Sequence, residues 1–124
     1  MKNDDLKIRT KIFAHRCVKL ALSLPNDALG NHKKKQLIRC STSTAANYRA
    51  ACLAHSKAAF TSKISIVIEE VDESDFWMEF LTDENFKPKE LVEKLMNEAQ
   101  ELTSIFVSSR KTLQTGNDLK NIHQ

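Results

Sequence analysis

QLIRCSTSTAANYRAACLAHSKAAFTSKISIVIEEVDESDFWMEFL, residues 36–81, decides the fold. Its second half places Phe60, Ile64, Val67, Val71, Ser74, Met78 and Leu81 at alternating steps of four and three. That spacing brings side chains back to one face of an α-helix, so it predicts an amphipathic helix from a cap at Ser56 to about Thr82. The first half carries a second stripe: Leu37, Ser41, Thr44, Tyr48, Ala51 and His55. At 100° per residue these six fall within about 40° of one direction. They predict a helix that starts between Asp27 and Lys33 and runs to about His55. Two long helices joined near Ser56 form a hairpin, and the rest of the chain packs around it.

Upstream, Leu6, Phe13, Cys17, Leu20 and Leu24 trace one helical stripe. Asn3 suits its N-cap, and Asp4 and Asp5 suit the positive end of its dipole. Pro25 ends this helix at Leu24, because the residue before a proline is pushed out of helical backbone. Residues 25–31 (PNDALGN) are the first connection. Downstream, residues 83–87 form a turn and Pro88 fits a first helical position. Leu91, Leu95, Leu102, Ile105, Phe106, Ser109 and Leu113 mark the last helix, with Gly116 and Asn117 expected to end it. Residues 117–124 are expected to fray. The chain thus reads as one domain over residues 1–124, all-α, an antiparallel up-down four-helix bundle.

Composition agrees with that. The chain has 124 residues with 41% apolar residues, and only 2 Gly and 2 Pro. A β-rich domain needs turn residues about every ten positions, so an all-β fold is not expected. No apolar run approaches the ~18 residues of a membrane span, and MKNDDLKIRTK has no apolar signal core. A cytoplasmic, bacterial-type protein is the expectation, with no membrane partner. Cys17, Cys40 and Cys52 lie in helical patterns and read as small buried hydrophobes in a reducing compartment.

Charge is uneven. Residues 1–63 hold 13 Lys or Arg against 3 Asp or Glu, and residues 64–124 hold 6 against 13. A half at +10 and a half at −7 give the net +3. The halves can neutralise each other within a bundle or between subunits, or the basic half can face a polyanion. On the second reading Lys33, Lys34, Lys35, Arg39 and Arg49 are the candidate phosphate contacts. Asn47 is a candidate polar contact to nucleic acid or to a neighbouring subunit. On the first, Ala46, Ala50 and Leu53 on the outward side of the second helix form a subunit interface. Glu69, Glu73, Phe76, Trp77 and Phe80 on the third helix join them. In the hairpin, residue numbers summing to about 112 lie level, which pairs Arg39 with Glu73 and Cys40 with Asp72.

Chemistry is sparse. No E-x-x-H pair, P-loop, G-x-G-x-x-G, H-E-x-x-H or G-x-S-x-G occurs, so neither a metal nor a cofactor is expected. Arg49 and His55, six residues apart, resemble the Arg and His of small HEPN-type ribonucleases. There the Arg would stabilise phosphate charge and the His would act as acid or base. His55 falls on the core stripe by phase, which argues against that role and for a non-enzyme. A protein–protein adaptor without nucleic acid is the main alternative to a nucleic-acid binder.

Leu24-Pro25, Gln36-Leu37-x-Arg39, Ala46-Asn47-Tyr48-Arg49-Ala50-Ala51, Ser56-Lys57-Ala58-x-Phe60 and Glu69-Glu70-x-Asp72-Glu73 occur in that order. In this combination, from about Phe13 to Leu113, the chain resembles the bacterial four-helix bundle proteins encoded by intervening sequences of 23S ribosomal RNA genes. The resemblance implies an up-down bundle that assembles as a ring-like homopentamer, with no catalysis and no cofactor. The chain is also similar to the accessory proteins of diversity-generating retroelements, which bind nucleic acid together with a partner protein, a reverse transcriptase. Nucleic-acid binding, RNA or DNA, is therefore the expected role.

Overall fold

The computed structural model describes residues 3–123, with side chains from Asp4 to Gln114. Four helices follow one another: α1 (Asn3–Leu22), α2 (Ala28–Ala51), α3 (Lys57–Asp83) and α4 (Lys89–His123). No strand occurs among the described residues.

Side chains that meet across the helices fix an antiparallel order. His32 meets Trp77, and Arg39 meets Glu73, so α2 and α3 run in opposite directions. Ser65 accepts from Arg110 and Asp75 accepts from Gln100, which reverses α4 against α3. The expected Arg39–Glu73 level is therefore present. Beside it, the Cys40 sulfur lies 3.2 Å from the Ser74 hydroxyl.

The core is the inward stripe of each helix. Phe13, Cys17, Leu37, Ile64, Val67, Val71, Met78, Leu81, Leu102 and Phe106 are fully buried. Removing one such side chain costs about 2–5 kcal/mol, so this stripe sets the fold. Thr10, Ser41, Thr44 and Ser74 are buried among them. Their hydroxyls turn back onto their own helix: Thr10 to Leu6 at 2.8 Å, Thr44 to Cys40 at 2.9 Å and Ser74 to Glu70 at 2.9 Å. Small, internally satisfied side chains let α2 and α3 pack closely without orphaned polar groups.

Caps place the ends. Asp27 accepts from the Gly30 amide at 2.7 Å and starts α2; Ser56 accepts from the Ala59 amide at 3.0 Å and starts α3. At the other end of α3, Asn85 has φ 59°. The Asn85 and Phe86 amides donate back to Thr82 and Leu81 at 3.1 and 2.9 Å, the two bonds of a Schellman cap. Asn85→Gly should therefore stabilise the fold by about 0.5–1 kcal/mol, because glycine adopts positive φ without a Cβ clash. Urea unfolding checks this; a less stable variant would refute the cap's role.

Four expectations change. α1 ends at Leu22, and Ser23 and Leu24 close a tighter turn onto Leu20 and Ala21 at 3.1 Å before Pro25. α2 ends at Ala51 instead of running to His55. Leu53 and Ala54 donate three residues back, and the chain then extends at Ser56 to cap α3, which leaves His55 exposed rather than in the core. Leu91 is 71% exposed, because the inward run of α4 is Val92, Leu95, Ala99, Leu102 and Phe106, one residue out of phase with it. Finally, α4 continues through Gly116 and Asn117 to His123. One interior Gly costs a helix only about 1 kcal/mol, and no proline follows to stop it. The side chains of the expected frayed tail lie outside the described residues.

Candidate nucleic-acid interface

Three environments hold the basic residues of α1 and α2 that matter here. The first group is neutralised within the chain. Arg9 on α1 reaches α4, binding Glu98 through two 2.8 Å bonds and Glu101 at 2.9 Å. Arg39 bridges α2 to α3, pairing with Glu70 at 3.1 Å and with Glu73. Burial pushes the Glu73 carboxyl up, but its bonds from Arg39 and the Trp77 indole outweigh this and hold it below the ordinary range. Glu73 is thus committed to its own chain, and Arg39 meets two carboxylates before any phosphate.

The second environment is a buried one, and it holds Lys33 alone. Its stem is fully buried, and its ammonium sits 4.5 Å from the Phe80 ring centre and 4.1 Å from that of Phe86. Among the described residues it has no hydrogen-bond partner. Burial lowers its pKa, and the nearby Glu84 and Asp27 offset this only partly. Lys33 cannot reach a phosphate from here, which corrects the expectation. A physical signal was in the sequence: stepping back four residues from Leu37 along the core stripe lands on Lys33.

The third group faces solvent between α1 and α2. Lys7, Ile8, Lys11, Ala14, His15 and Val18 of α1 meet Thr42, Ala45, Ala46 and Arg49 of α2 around a groove of about 680 Å³. Its lining mixes basic and aliphatic side chains, and no lining residue is acidic. Lys7, Lys11, His15 and Lys19 recur every fourth residue. That step places all four on one side of α1, about 6 Å apart along the axis. Lys35, seven residues before Thr42, continues the groove side of α2. Among the described residues, Lys11, Lys19, Lys35 and Arg49 form no ion pair, and Lys7 makes only a 3.7 Å contact with exposed Asp4.

The other expected site residues fall as follows. Lys34 donates to Asn26 at 2.7 Å. Asn47 spends its amide on Ser43, at 3.0 Å to the carbonyl and 2.9 Å to the hydroxyl. Ala46 lies in the groove, Ala50 is half-buried, and Leu53 is 72% exposed. Trp77 and Phe80 are half-buried in an aromatic cluster with His32 and Lys33, and Phe76, 50% exposed, packs against both with ring centres 5.0 and 5.9 Å away. Glu69 is exposed. The structure thus brings Ala46 and Arg49 together with Lys7, Lys11 and His15, which the single-residue reading of the sequence did not single out. The i, i+4 run Lys7, Lys11, His15 and Lys19 was the available signal.

Among the described residues no group of His, Cys, Asp and Glu could hold a metal ion. Burial pushes the thiols of Cys17 and Cys40 up, the latter to about 11, so both behave as packed apolar groups. No helix among the described residues is long and apolar enough to cross a membrane.

A compact all-α bundle with one cationic helix pair is the class these features define. The chain belongs to the 23S rRNA-intervening sequence protein family, whose sequence profile matches residues 5–108. It is also similar to a protein of unknown function from the S23 ribosomal protein family of Bacteroides thetaiotaomicron VPI-5482, solved at 1.70 Å. The two chains share 32% identity and superpose with a TM-score of 0.82, over 90% of this chain and 99% of that one. None of the curated proteins matches this chain.

Proposed function

We propose that this chain is a non-catalytic, self-associating bundle of the cytoplasm that binds RNA or DNA through the α1–α2 face. The observation that carries the reading is the segregation of cations. Arg9 and Arg39, which reach across to α4 and α3, are paired with carboxylates, while Lys11 and Arg49 in the α1–α2 groove, with Lys19 and Lys35 beside them, form no ion pair among the described residues. A row of lysines over ~18 Å suits a phosphate backbone better than a small anion. Membership in a family named for 23S rRNA intervening sequences supports the same reading. Thiols left unpaired in the structure suit a reducing compartment. Lys33, buried, and Arg39, neutralised, play no direct part.

Phosphate contact has a distinctive salt response. With about four phosphates neutralised, the slope of log K against log salt should be about −3 to −4 on duplex DNA. Lys11→Glu together with Arg49→Glu should weaken binding at least ~100-fold and flatten that slope by about two units. Fluorescence anisotropy with mixed-sequence RNA and duplex DNA measures both. A double variant that binds like wild type would overturn the assignment of the face.

A further inference from the structure

One histidine interrupts the lysine row of α1. In the series Lys7, Lys11, His15, Lys19, the imidazole stands where a fourth lysine would complete the steps of four. His15 is exposed and lines the groove. The charged side chains that line it alongside are all cations: Lys7, Lys11 and Arg49. On its own helix Lys11 and Lys19 lie one turn to either side, about 6 Å along the axis. The acidic first turn of α1, Asp4 and Asp5, is about 15 Å away along the same axis. From α2 it meets Arg49 and the uncharged Thr42, Ala45 and Ala46 across the groove. α4 packs on the other flank of α1, where Arg9 binds both Glu98 and Glu101, and no residue of α3 or α4 lines the groove.

We propose that His15 is a phosphate contact that engages only as the imidazolium, so that RNA or DNA binding to this face takes up a proton and tightens as pH falls. The inference rests on the nucleic-acid reading of the groove. Histidine is the side chain type that changes charge near neutral pH, while lysine and arginine keep theirs. A phosphodiester beside the ring favours its protonated form. By linkage, protonation then favours the phosphodiester by the same factor. The proton comes from the buffer and returns to it on release, and no covalent bond to the nucleic acid forms or breaks. Its place in the row fixes what the contact is worth. One phosphate contact contributes about 0.9 to the slope of log K against log salt on duplex DNA, which at ~0.1 M salt is about 8-fold in affinity. The lysines and Arg49 supply a constant attraction, and His15 adds one contact that acid switches on.

Anisotropy of a labelled mixed-sequence DNA duplex with the full chain, titrated with salt at about pH 8 and about pH 5.5, reads both quantities. Wild type should bind about 5–8-fold more tightly at the lower pH in ~0.1 M salt, and its salt slope should steepen by about 0.9. His15→Gln keeps a polar side chain that never charges. It should match wild type at the higher pH and lose both changes. His15→Lys carries its charge throughout, so it should show the tighter binding and the steeper slope at both pH values. Circular dichroism should not distinguish the three proteins, because the side chain is exposed. Two other histidines lie elsewhere: His32 meets Trp77 on the α3 side, and His55 is exposed on the connection between α2 and α3. A pH dependence that survives in His15→Gln therefore belongs to another group and overturns the proposal. A wild type whose affinity and salt slope are the same at both pH values overturns it too. In either case duplex is still bound, and the nucleic-acid reading of the face stands. A wild type that binds no duplex at either pH removes that reading, and the proton uptake with it.

Discussion

Gly30→Ala should lower the free energy of unfolding by about 2–3 kcal/mol. The sign is the informative part. In an ordinary helix interior, alanine in place of glycine stabilises by about 1 kcal/mol. Gly30 is buried in the first turn of α2, where the connection from α1 folds tightly back over it. A Cβ there would collide with the Pro25 carbonyl oxygen and lie 2.9 Å from the Asp27 carboxylate. The carbonyl belongs to the backbone and cannot swing aside as a long side chain would. The carboxylate is the N-cap that binds the Gly30 amide, so relief of the clash also strains the cap. Asp27→Ala, which removes the cap without a clash, should cost only about 1 kcal/mol. Urea unfolding of both variants separates the two effects. A Gly30→Ala protein as stable as wild type would show that the connection moves freely, and that the tight turn does not orient α1 against α2.

That turn matters because the α1–α2 angle shapes the groove between the two helices. Here the sequence was legible in part. The stripes of Leu37 to Ala51 and Ile64 to Leu81 have one periodicity each, and tertiary packing uses them as written. Leu91 and His55 failed for different reasons. Leu91 is one residue out of phase with the inward run of α4, whereas His55 lies beyond the tight turn that ends α2 and so leaves the phase of its interior. Lys33 failed differently. Its charge suggested solvent while its phase pointed inward, and packing followed phase because the stem is apolar and two rings accept the ammonium. Charge pairing across α2 and α3 was readable from hairpin level alone, as Arg39 and Glu73 show. The groove was not. It needs the rotation of α1 about its axis relative to α2, and residues far apart in sequence, such as Lys7 and Arg49, reveal nothing of that until the helices are packed.

Lys33→Met should stabilise the protein by about 1–2 kcal/mol at neutral pH. Methionine keeps the unbranched stem that fills the space beside Phe80 and Phe86, and it removes a buried ammonium that has no hydrogen-bond acceptor among the described residues. The two ring contacts offset part of the desolvation penalty, which keeps the expected gain modest. The gain should depend on pH in one direction. Burial depresses the folded-state pKa of Lys33 below its ordinary value of 10.5, with Glu84 and Asp27 opposing the shift. Between the depressed value and 10.5, the unfolded chain binds more protons than the folded one, so wild-type stability rises with pH across that window. Below the window the burial penalty is felt in full. The advantage of Lys33→Met should therefore be greatest at neutral pH and shrink steadily as pH approaches 10.5. Other alkaline groups titrate alike in both proteins, so the difference between variant and wild type isolates this one amine. Lys33→Arg serves as the opposing control: guanidinium cannot shed its proton in this range, so this variant should fall further behind wild type as pH approaches 10.5. A Met variant less stable than wild type at pH 7, or a gain that is flat to pH 10.5, would mean that Lys33 is held there by interactions worth more than its burial costs.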